Sequence, residues 1–206
     1  ITLKIRPPND TAVYVKNNFS RLIEQLQLDA YDIYLDEEKR VGQYTLEKYI
    51  KEKMPAGATA DDTVQIVKSM FNEFDRFYLS LTQSRRPRAG LAFEVILKTL
   101  FKKLEYPFAE QQVINGKPDF LMPNREHFDR NPMDAIIFTA KRSLRERWRQ
   151  IVTEGIRGLG FFLATIDETV SSNQLTEMMR NRIYLVVPER VKNENSLYNM
   201  TGNVIS

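Results

Sequence analysis

The chain has 206 residues and a net charge of +3, and 42% of its residues are hydrophobic, which is ordinary for one globular domain with or without a small addition. Cysteine is absent, which excludes disulfides, a thiolate nucleophile and cysteine-based zinc sites. The single histidine, His127, excludes sites built from several histidines. A bound metal would therefore need carboxylate ligands, which favours a hard cation such as Mg²⁺.

The apolar residues bear on the cellular location of the protein, and the basic residues bear on the kind of partner that it binds. No apolar run approaches the roughly 18 residues of a membrane span, so we expect a cytoplasmic protein without membrane contact. Three of the four residues from Arg85 to Arg88 are arginine, and five of the nine residues from Lys141 to Arg149 are basic. Two such clusters indicate an anionic partner more strongly than the small net charge does.

The first third of the chain has the periodicity of helices. Apolar residues recur at intervals of three and four over residues 11–27, 45–53 and 62–81. Residues 30–44 are mixed, and the Pro55-Ala56-Gly57 turn predicts a helix end. We therefore expect a mainly helical region over residues 1–82.

Pro87 and Gly90 predict a further break in helical structure. This break would place the arginines of residues 83–90 in a loop. A new helix is then predicted over residues 91–104, where apolar positions recur and Glu94 lies among them.

The second half of the chain has strands that alternate with helices. Strands are predicted at residues 110–114, 119–122, 134–140 and 183–187, and residues 160–166 form either a strand or a buried helix. Helices are predicted at residues 143–154 and 175–182, with a polar loop at 124–132 and little signal beyond residue 189. This alternation predicts an α/β core with helices on both faces of a sheet. We expect one domain over residues 1–206, with the core in residues 83–206.

Four residues could carry the hydrolysis of a phosphodiester. Asp119 follows Pro118 at a strand start, Lys141 ends the next strand, and Glu154 and Glu94 lie on predicted helices. Carboxylates can hold a cation that activates water, and a lysine can stabilise charge at the scissile phosphate. The alternative is that Asp119 lies in an ordinary turn, that Glu154 is a solvated acid at a helix end, and that Glu94 lies at a helix rim or pairs with an arginine.

A short basic segment follows Lys141. Ser143 and Glu146 have the spacing of a capping box, which predicts that a helix begins there. Arginine pairs with guanine edges and glutamate accepts from cytosine, so Arg145, Glu146 and Arg147 suit neighbouring G·C pairs. A solvated helix face of mixed charge is the alternative.

The segment Lys141-Arg142-Ser143-Leu144-Arg145-Glu146-Arg147-Trp148-Arg149-Gln150, preceded by Pro118-Asp119 and followed by Glu154, resembles the SsoII, PspGI and EcoRII group of type II restriction endonucleases. The resemblance covers Arg88 to about Pro188. It implies a PD-(D/E)xK nuclease with a restriction-endonuclease-like core, in which helices flank a central mixed β-sheet. It also implies a Mg²⁺-dependent homodimer, without an organic cofactor, that cuts double-stranded DNA at CCNGG or CCWGG and leaves 5′ overhangs.

The resemblance also implies roles for single residues. Asp119, Lys141 and Glu154 would be the catalytic set with Glu94 as an accessory acid, and the three acids would be the metal ligands. Base recognition would fall to Arg145, Glu146 and Arg147 in the major groove and to Gln83 in the minor groove. Thr139 occupies the position two residues before Lys141 where many PD-(D/E)xK nucleases have an acid, which would have moved to Glu154.

Relatives of this group flip the central base pair of their site and stack each base on an aromatic side chain. Tyr44, four residues after Arg40, is the predicted stacking platform, and both would belong to the flipped-base pocket. Phe71, Phe77 and Tyr49 are the alternatives for this platform. Tyr44 could equally be an ordinary surface or core tyrosine.

Three functions are consistent with these residues. The first is a site-specific endonuclease. The second is a non-catalytic DNA-binding module, for which Asp119 and Glu154 would be dispensable. The third is a structure-selective repair nuclease of the same fold, which would not need arginine and glutamate side chains at base edges.

Overall fold

The computed structural model describes residues 11–114, 116–144 and 161–206. Two compact units are present, one formed by Leu28–Ala89 and the other by the residues up to Gln27 together with Gly90–Ser206. The predicted division between residues 82 and 83 stays a prediction. None of the helices in these ranges combines the length and apolar content that crossing a membrane requires.

The N-terminal part is helical, as its periodicity predicts. Its helices are α1 (Thr11–Asn17), α2 (Phe19–Lys53), α3 (Ala60–Ser69) and α4 (Phe71–Lys103). The predicted turn at Pro55-Ala56-Gly57 is confirmed, and Gly57 has a φ of +78°, which favours glycine. Thr59 caps α3 through a reciprocal pair of hydrogen bonds with Asp62.

One sequence expectation for the helices is wrong, because the predicted break at residues 83–90 lies within α4, which continues through Pro87. The mixed stretch at residues 30–44 lies within α2. Proline removes one backbone donor and costs about 3 kcal/mol in a helix interior. Arg85 and Arg88, on both sides of Pro87, contact α2, and these contacts offset part of this cost.

One mixed sheet organises the C-terminal part. Its strands are β1 (Ala109–Glu110), β2 (Phe120–Met122), β3 (Ile136–Ala140), β4 (Phe161–Ala164), β5 (Ile183–Val186) and β6 (Val204–Ile205), and they are adjacent in chain order. The first three strands pair antiparallel, whereas β3 to β6 pair parallel. The predicted strands at 119–122, 134–140 and 183–187 are confirmed, and residues 160–166 contain a strand.

Helices lie between these strands along the chain. They are α5 (Arg125–Arg130), α6 (Ser172–Arg180), α7 (Glu189–Glu194) and α8 (Ser196–Met200). The expectation of a polar loop at 124–132 is wrong, because Asn124 caps α5 by accepting a hydrogen bond from the His127 backbone N–H. The predicted strand at 110–114 is reduced to β1.

Strand β3 is buried on both faces. Ile137 belongs to an apolar cluster with Leu144, Leu163 and Leu185. Phe138 points to the opposite face, where its ring lies 5.3 Å from that of Phe101, edge to face. Apolar packing on both faces of β3 therefore fixes the ends of β2 and β3. The candidate site lies at these strand ends.

Candidate active site

Asp119 and Lys141 meet at one edge of the sheet. Because β2 and β3 are antiparallel and Phe120 lies opposite Phe138, the residue before β2 lies beside the end of β3. Lys141 Nζ donates to Asp119 Oδ2 at 3.2 Å. The structure therefore brings together the acid and the lysine that the sequence analysis singled out 22 positions apart.

The Asp119 carboxylate is held from the protein side. Only 8% of the residue is exposed, and the backbone N–H of Ala140 donates to Oδ2 at 2.7 Å. The backbone N–H of Asp119 in turn faces the Thr139 hydroxyl at 3.4 Å. Thr139 thus has a polar contact with the main chain of Asp119 at the position where an acid was expected. The Lys141 side chain, by contrast, is 35% exposed and can reach a ligand.

Glu94 on α4 belongs to the same cluster. Burial raises the pKa of its carboxyl, and the negative charge of Asp119 raises it further. A hydrogen bond with the Gln111 side chain and the positive charge of Lys141 act in the opposite direction. The charges of Asp119 and Lys141 both affect the pKa of Glu94, which is consistent with its predicted place in the candidate site.

Gln111 is a site residue that the sequence analysis missed. Its φ of +48° lies in the left-handed region, which is uncommon for a residue other than glycine. Its backbone N–H donates to the Asp119 carbonyl oxygen at 3.2 Å, while its side chain hydrogen-bonds to Glu94. Strained backbone of this kind concentrates at functional sites, but no local sequence signal identifies it.

The donor set suits a hard cation. Asp119 Oδ2 accepts from Ala140 and Lys141, whereas none of the hydrogen bonds among residues 11–114, 116–144 and 161–206 goes to Oδ1. Asp119 Oδ1 and the partly buried Glu94 carboxylate are hard oxygen ligands of the kind that Mg²⁺ prefers. Within those same ranges no three acidic or histidine residues cluster as a complete metal site. The third predicted ligand, Glu154, lies outside the described residues.

The predicted base-reading residues Arg145, Glu146 and Arg147 also lie outside the described residues. The predicted capping role of Glu146 therefore stays a prediction. The segment that leads to them is described. Leu144 is fully buried, and its backbone N–H donates to Asp167 Oδ2 at 2.8 Å.

The predicted flipped-base residues lie on α2, in the unit formed by Leu28–Ala89. Tyr44 is 69% exposed, so its ring is available for a ligand. Arg40, one helical turn earlier, donates to Glu37 at 2.6 Å, and both side chains are largely exposed. Of the alternative platforms, Tyr49 and Phe77 pack edge to face against each other.

Gln83 is exposed on α4 and begins the arginine-rich stretch. Arg85 donates through Nε and Nη2 to Glu38, which is 9% exposed. The Arg88 guanidinium lies 5.1 Å from the centre of the Tyr34 ring. Two arginines of the predicted basic cluster therefore hold α4 to α2.

Comparison with known proteins identifies the family of this chain. The family model described as EcoRII C terminal matches residues 47–202. The chain belongs to the EcoRII C-terminal family. The predicted resemblance to type II restriction endonucleases such as SsoII and EcoRII is confirmed.

Two curated relatives in the EcoRII C-terminal family are type II restriction enzymes, that is, site-specific deoxyribonucleases. SsoII from Shigella sonnei is 28% identical over 212 residues, covering 94% of this chain and 67% of SsoII. EcoRII from Escherichia coli is 33% identical over 136 residues, covering 61% of this chain and 33% of EcoRII.

Solved structures confirm the fold. Metal-depleted Ecl18kI in complex with uncleaved, modified DNA has a TM-score of 0.83 and 28% identity, covering 94% of this chain and 68% of Ecl18kI. The PspGI complex with substrate DNA has a TM-score of 0.68 and 22% identity, covering 98% of this chain and 88% of PspGI. The predicted mixed sheet with flanking helices is therefore a restriction-endonuclease fold.

Proposed function

We propose that this chain carries the catalytic centre of a Mg²⁺-dependent type II restriction endonuclease that cuts double-stranded DNA at CCNGG or CCWGG and leaves 5′ overhangs. The observation that carries the proposal is the contact of Lys141 with Asp119 beside Glu94 at one sheet edge. Family membership supports the same activity, because the curated relatives are type II restriction enzymes.

The catalytic roles follow from charge and position. Asp119 and Glu94, together with Glu154, would hold the cation, which when bound neutralises phosphate charge and lowers the pKa of water. Lys141 places a positive charge where a phosphate oxygen could lie, and its contact with Asp119 keeps it oriented. The Ala140 backbone N–H fixes one Asp119 oxygen and leaves the other for the cation.

Recognition of the site would come from separate residues. Arg145 and Arg147 would contact guanines and Glu146 a cytosine in the major groove, with Gln83 in the minor groove. Exposed Tyr44 would stack on a flipped central base, with Arg40 beside it in the pocket. A nearly palindromic target is symmetric, so the functional species would be a two-fold homodimer.

Digestion of a plasmid library with Mg²⁺, followed by sequencing of the ends, tests this function. The expected result is one class of ends with 5′ overhangs at CCNGG or CCWGG. Random ends would instead indicate a structure-selective nuclease. A DNA-binding module would give no ends at all, and its Asp119→Ala variant would behave like the wild type in every assay.

Recognition can be tested apart from cleavage. Arg147→Ala is expected to reduce the binding preference for the cognate site by a factor that corresponds to about 1–3 kcal/mol. Cleavage of the cognate site by this variant at the wild-type rate, with wild-type selectivity, would contradict the role of Arg147. Measurements in the presence and absence of Mg²⁺ separate this loss from a loss of catalysis.

A further inference from the structure

Asp167, on the turn after β4, binds the segment between Lys141 and the predicted base-reading residues. Its Oδ2 accepts from the Leu144 backbone N–H at 2.8 Å and from the Ser143 hydroxyl at 3.3 Å. Its Oδ1 accepts from the Thr169 backbone N–H at 2.9 Å and from the Thr169 hydroxyl at 2.6 Å. One carboxylate thus ties the turn to a segment 23 residues earlier in the chain.

The turn makes further contacts with the same segment. The Lys141 backbone N–H donates to the Ala164 carbonyl oxygen at 2.9 Å, which extends the pairing of β3 with β4. The Thr165 hydroxyl donates to the Arg142 carbonyl oxygen at 3.2 Å and accepts from the Asp167 backbone N–H at 3.0 Å. The backbone from residue 141 to 144 is therefore bonded at three positions, once to the end of β4 and twice to the turn.

The turn is itself fixed from the core. Tyr198 is fully buried, and its hydroxyl donates to the Asp167 carbonyl oxygen at 2.7 Å while it accepts from the Val170 backbone N–H at 2.9 Å. Burial raises the pKa of Tyr198 to about 12, so that its proton is retained. Asp167 is therefore held at its main chain while its side chain holds Leu144.

The Asp167 carboxylate has the charge state that its partners require. Burial opposes its ionisation, but hydrogen bonds from Thr169, Leu144 and Ser143 outweigh burial and lower its pKa. Each carboxylate oxygen accepts from a backbone N–H, and such charge-assisted bonds are roughly twice as strong as neutral ones. An asparagine would have to turn its NH₂ group toward one of these N–H donors, because it has only one acceptor oxygen.

We propose that Asp167 is a positioning residue for base recognition, acting through the Leu144 backbone. The inference rests on the proposed function, in which Arg145, Glu146 and Arg147 read the site. Leu144 directly precedes them in the chain, and its backbone is held where its side chain is buried in the core. Asp167 sets that position from outside the segment, so that sequence discrimination depends on a residue 20 positions beyond the last reader.

Binding in metal-free buffer tests the inference without cleavage. The probes are a duplex with the site found by end sequencing and a duplex with one G·C pair of that site exchanged for A·T. The ratio of the two Kd values measures discrimination for the wild type and Asp167→Asn. We expect Asp167→Asn to reduce this ratio about tenfold or more, which is the effect of losing one good base contact.

Two control variants separate positioning from general stability. Glu168→Gln removes a charge from the same turn, at an exposed side chain that pairs with Arg190 rather than with the segment. Met178→Ala truncates a fully buried side chain of the same apolar core on α6, outside the turn. Both controls are expected to keep the wild-type discrimination ratio, and the Tm of every variant records its loss of stability.

The outcomes distinguish the inference from the function on which it rests. A wild type that does not discriminate between the probes overturns the proposed function, and the role of Asp167 with it. A discriminating wild type with an equally selective Asp167→Asn overturns only the role of Asp167. Equal losses in Asp167→Asn and Met178→Ala at equal Tm would show a purely structural role and would also overturn it.

Discussion

The Asp119 backbone N–H faces the Thr139 hydroxyl at 3.4 Å, across the antiparallel pair of β2 and β3. Thr139 stands two residues before Lys141, where many nucleases of this fold have an acid. Its hydroxyl faces the neighbouring strand, so this position supports Asp119 through a polar contact instead of adding a carboxylate. We therefore expect the Thr139 hydroxyl to align Asp119.

Thr139 can be tested with a matched pair of substitutions. Thr139→Val keeps the shape of the side chain but removes the hydroxyl, and we expect a loss of about 0.5–1.5 kcal/mol in the free energy of unfolding. Thr139→Ser keeps the hydroxyl, so it should retain more of the cleavage rate. Urea unfolding and single-turnover cleavage measure the two effects. Equal cleavage rates for the valine and serine variants would show that the hydroxyl does not align Asp119.

Lys141 is expected to act in cleavage rather than in binding. Lys141→Ala should slow single-turnover cleavage by at least about 100-fold, because a positive charge near the scissile phosphate is lost. Specific binding measured without metal should remain close to that of the wild type. Lys102→Ala, at an exposed position near the end of α4, is the control for loss of a positive charge. Near-normal cleavage by Lys141→Ala would remove this residue from the catalytic set.

The raised pKa of Glu94 predicts that the free energy of unfolding depends on pH. Because its pKa is raised in the folded protein, folding becomes less favourable as pH rises from the ordinary pKa of 4.5 through the raised value. At neutral pH and without metal, Glu94→Gln should therefore be more stable than the wild type. The difference should vanish below the ordinary pKa, where the wild-type carboxyl is protonated in both states. Urea unfolding in EDTA across this pH range measures it, and a less stable glutamine variant at neutral pH would contradict the prediction.

The Glu38 and Arg85 pair is expected to stabilise the helices of the unit formed by Leu28–Ala89. Arg85→Ala leaves a nearly buried carboxylate without its main partner, which should cost about 1–2 kcal/mol, since half of the Arg85 side chain is exposed. The bond from Arg85 lowers the pKa of Glu38, so this stabilisation should be lost as pH falls below the ordinary value.

Lys51→Ala provides the control for the Arg85 prediction. Lys51 pairs with Glu47 on the same helix, but both side chains are well exposed, so the loss of stability should be clearly smaller than for Arg85→Ala. Thermal unfolding of both variants at neutral and acid pH tests the difference. Equal losses for the two variants would mean that burial of Glu38 adds nothing.

Much of the candidate site could be predicted because its signals are local. The apolar runs before Lys141 and after Asp119 predict two strands, which the structure pairs antiparallel across a connection that contains α5. An acid that precedes one such strand and a lysine that follows the other then lie side by side. The family resemblance identified which acid and which lysine these were.

The path of α4 could not be predicted in the same way. Pro87 and Gly90 are helix-breaking residues, and a local reading ends the helix there. The helix continues because Arg85 bonds to Glu38, 47 residues earlier in the chain, and Arg88 packs on Tyr34. Those contacts exist only after α2 and α4 have packed together.

The sequence by itself determined the fold family, the strands that carry Asp119 and Lys141, and the helical character of the N-terminal part, because each depends on short-range periodicity or a local motif. Only the tertiary structure decided that Gln111 adopts a left-handed backbone beside Glu94 and that Asp167 binds the Leu144 N–H. These two features depend on partners brought together from distant parts of the chain. Their free energy comes from contacts that no local pattern encodes.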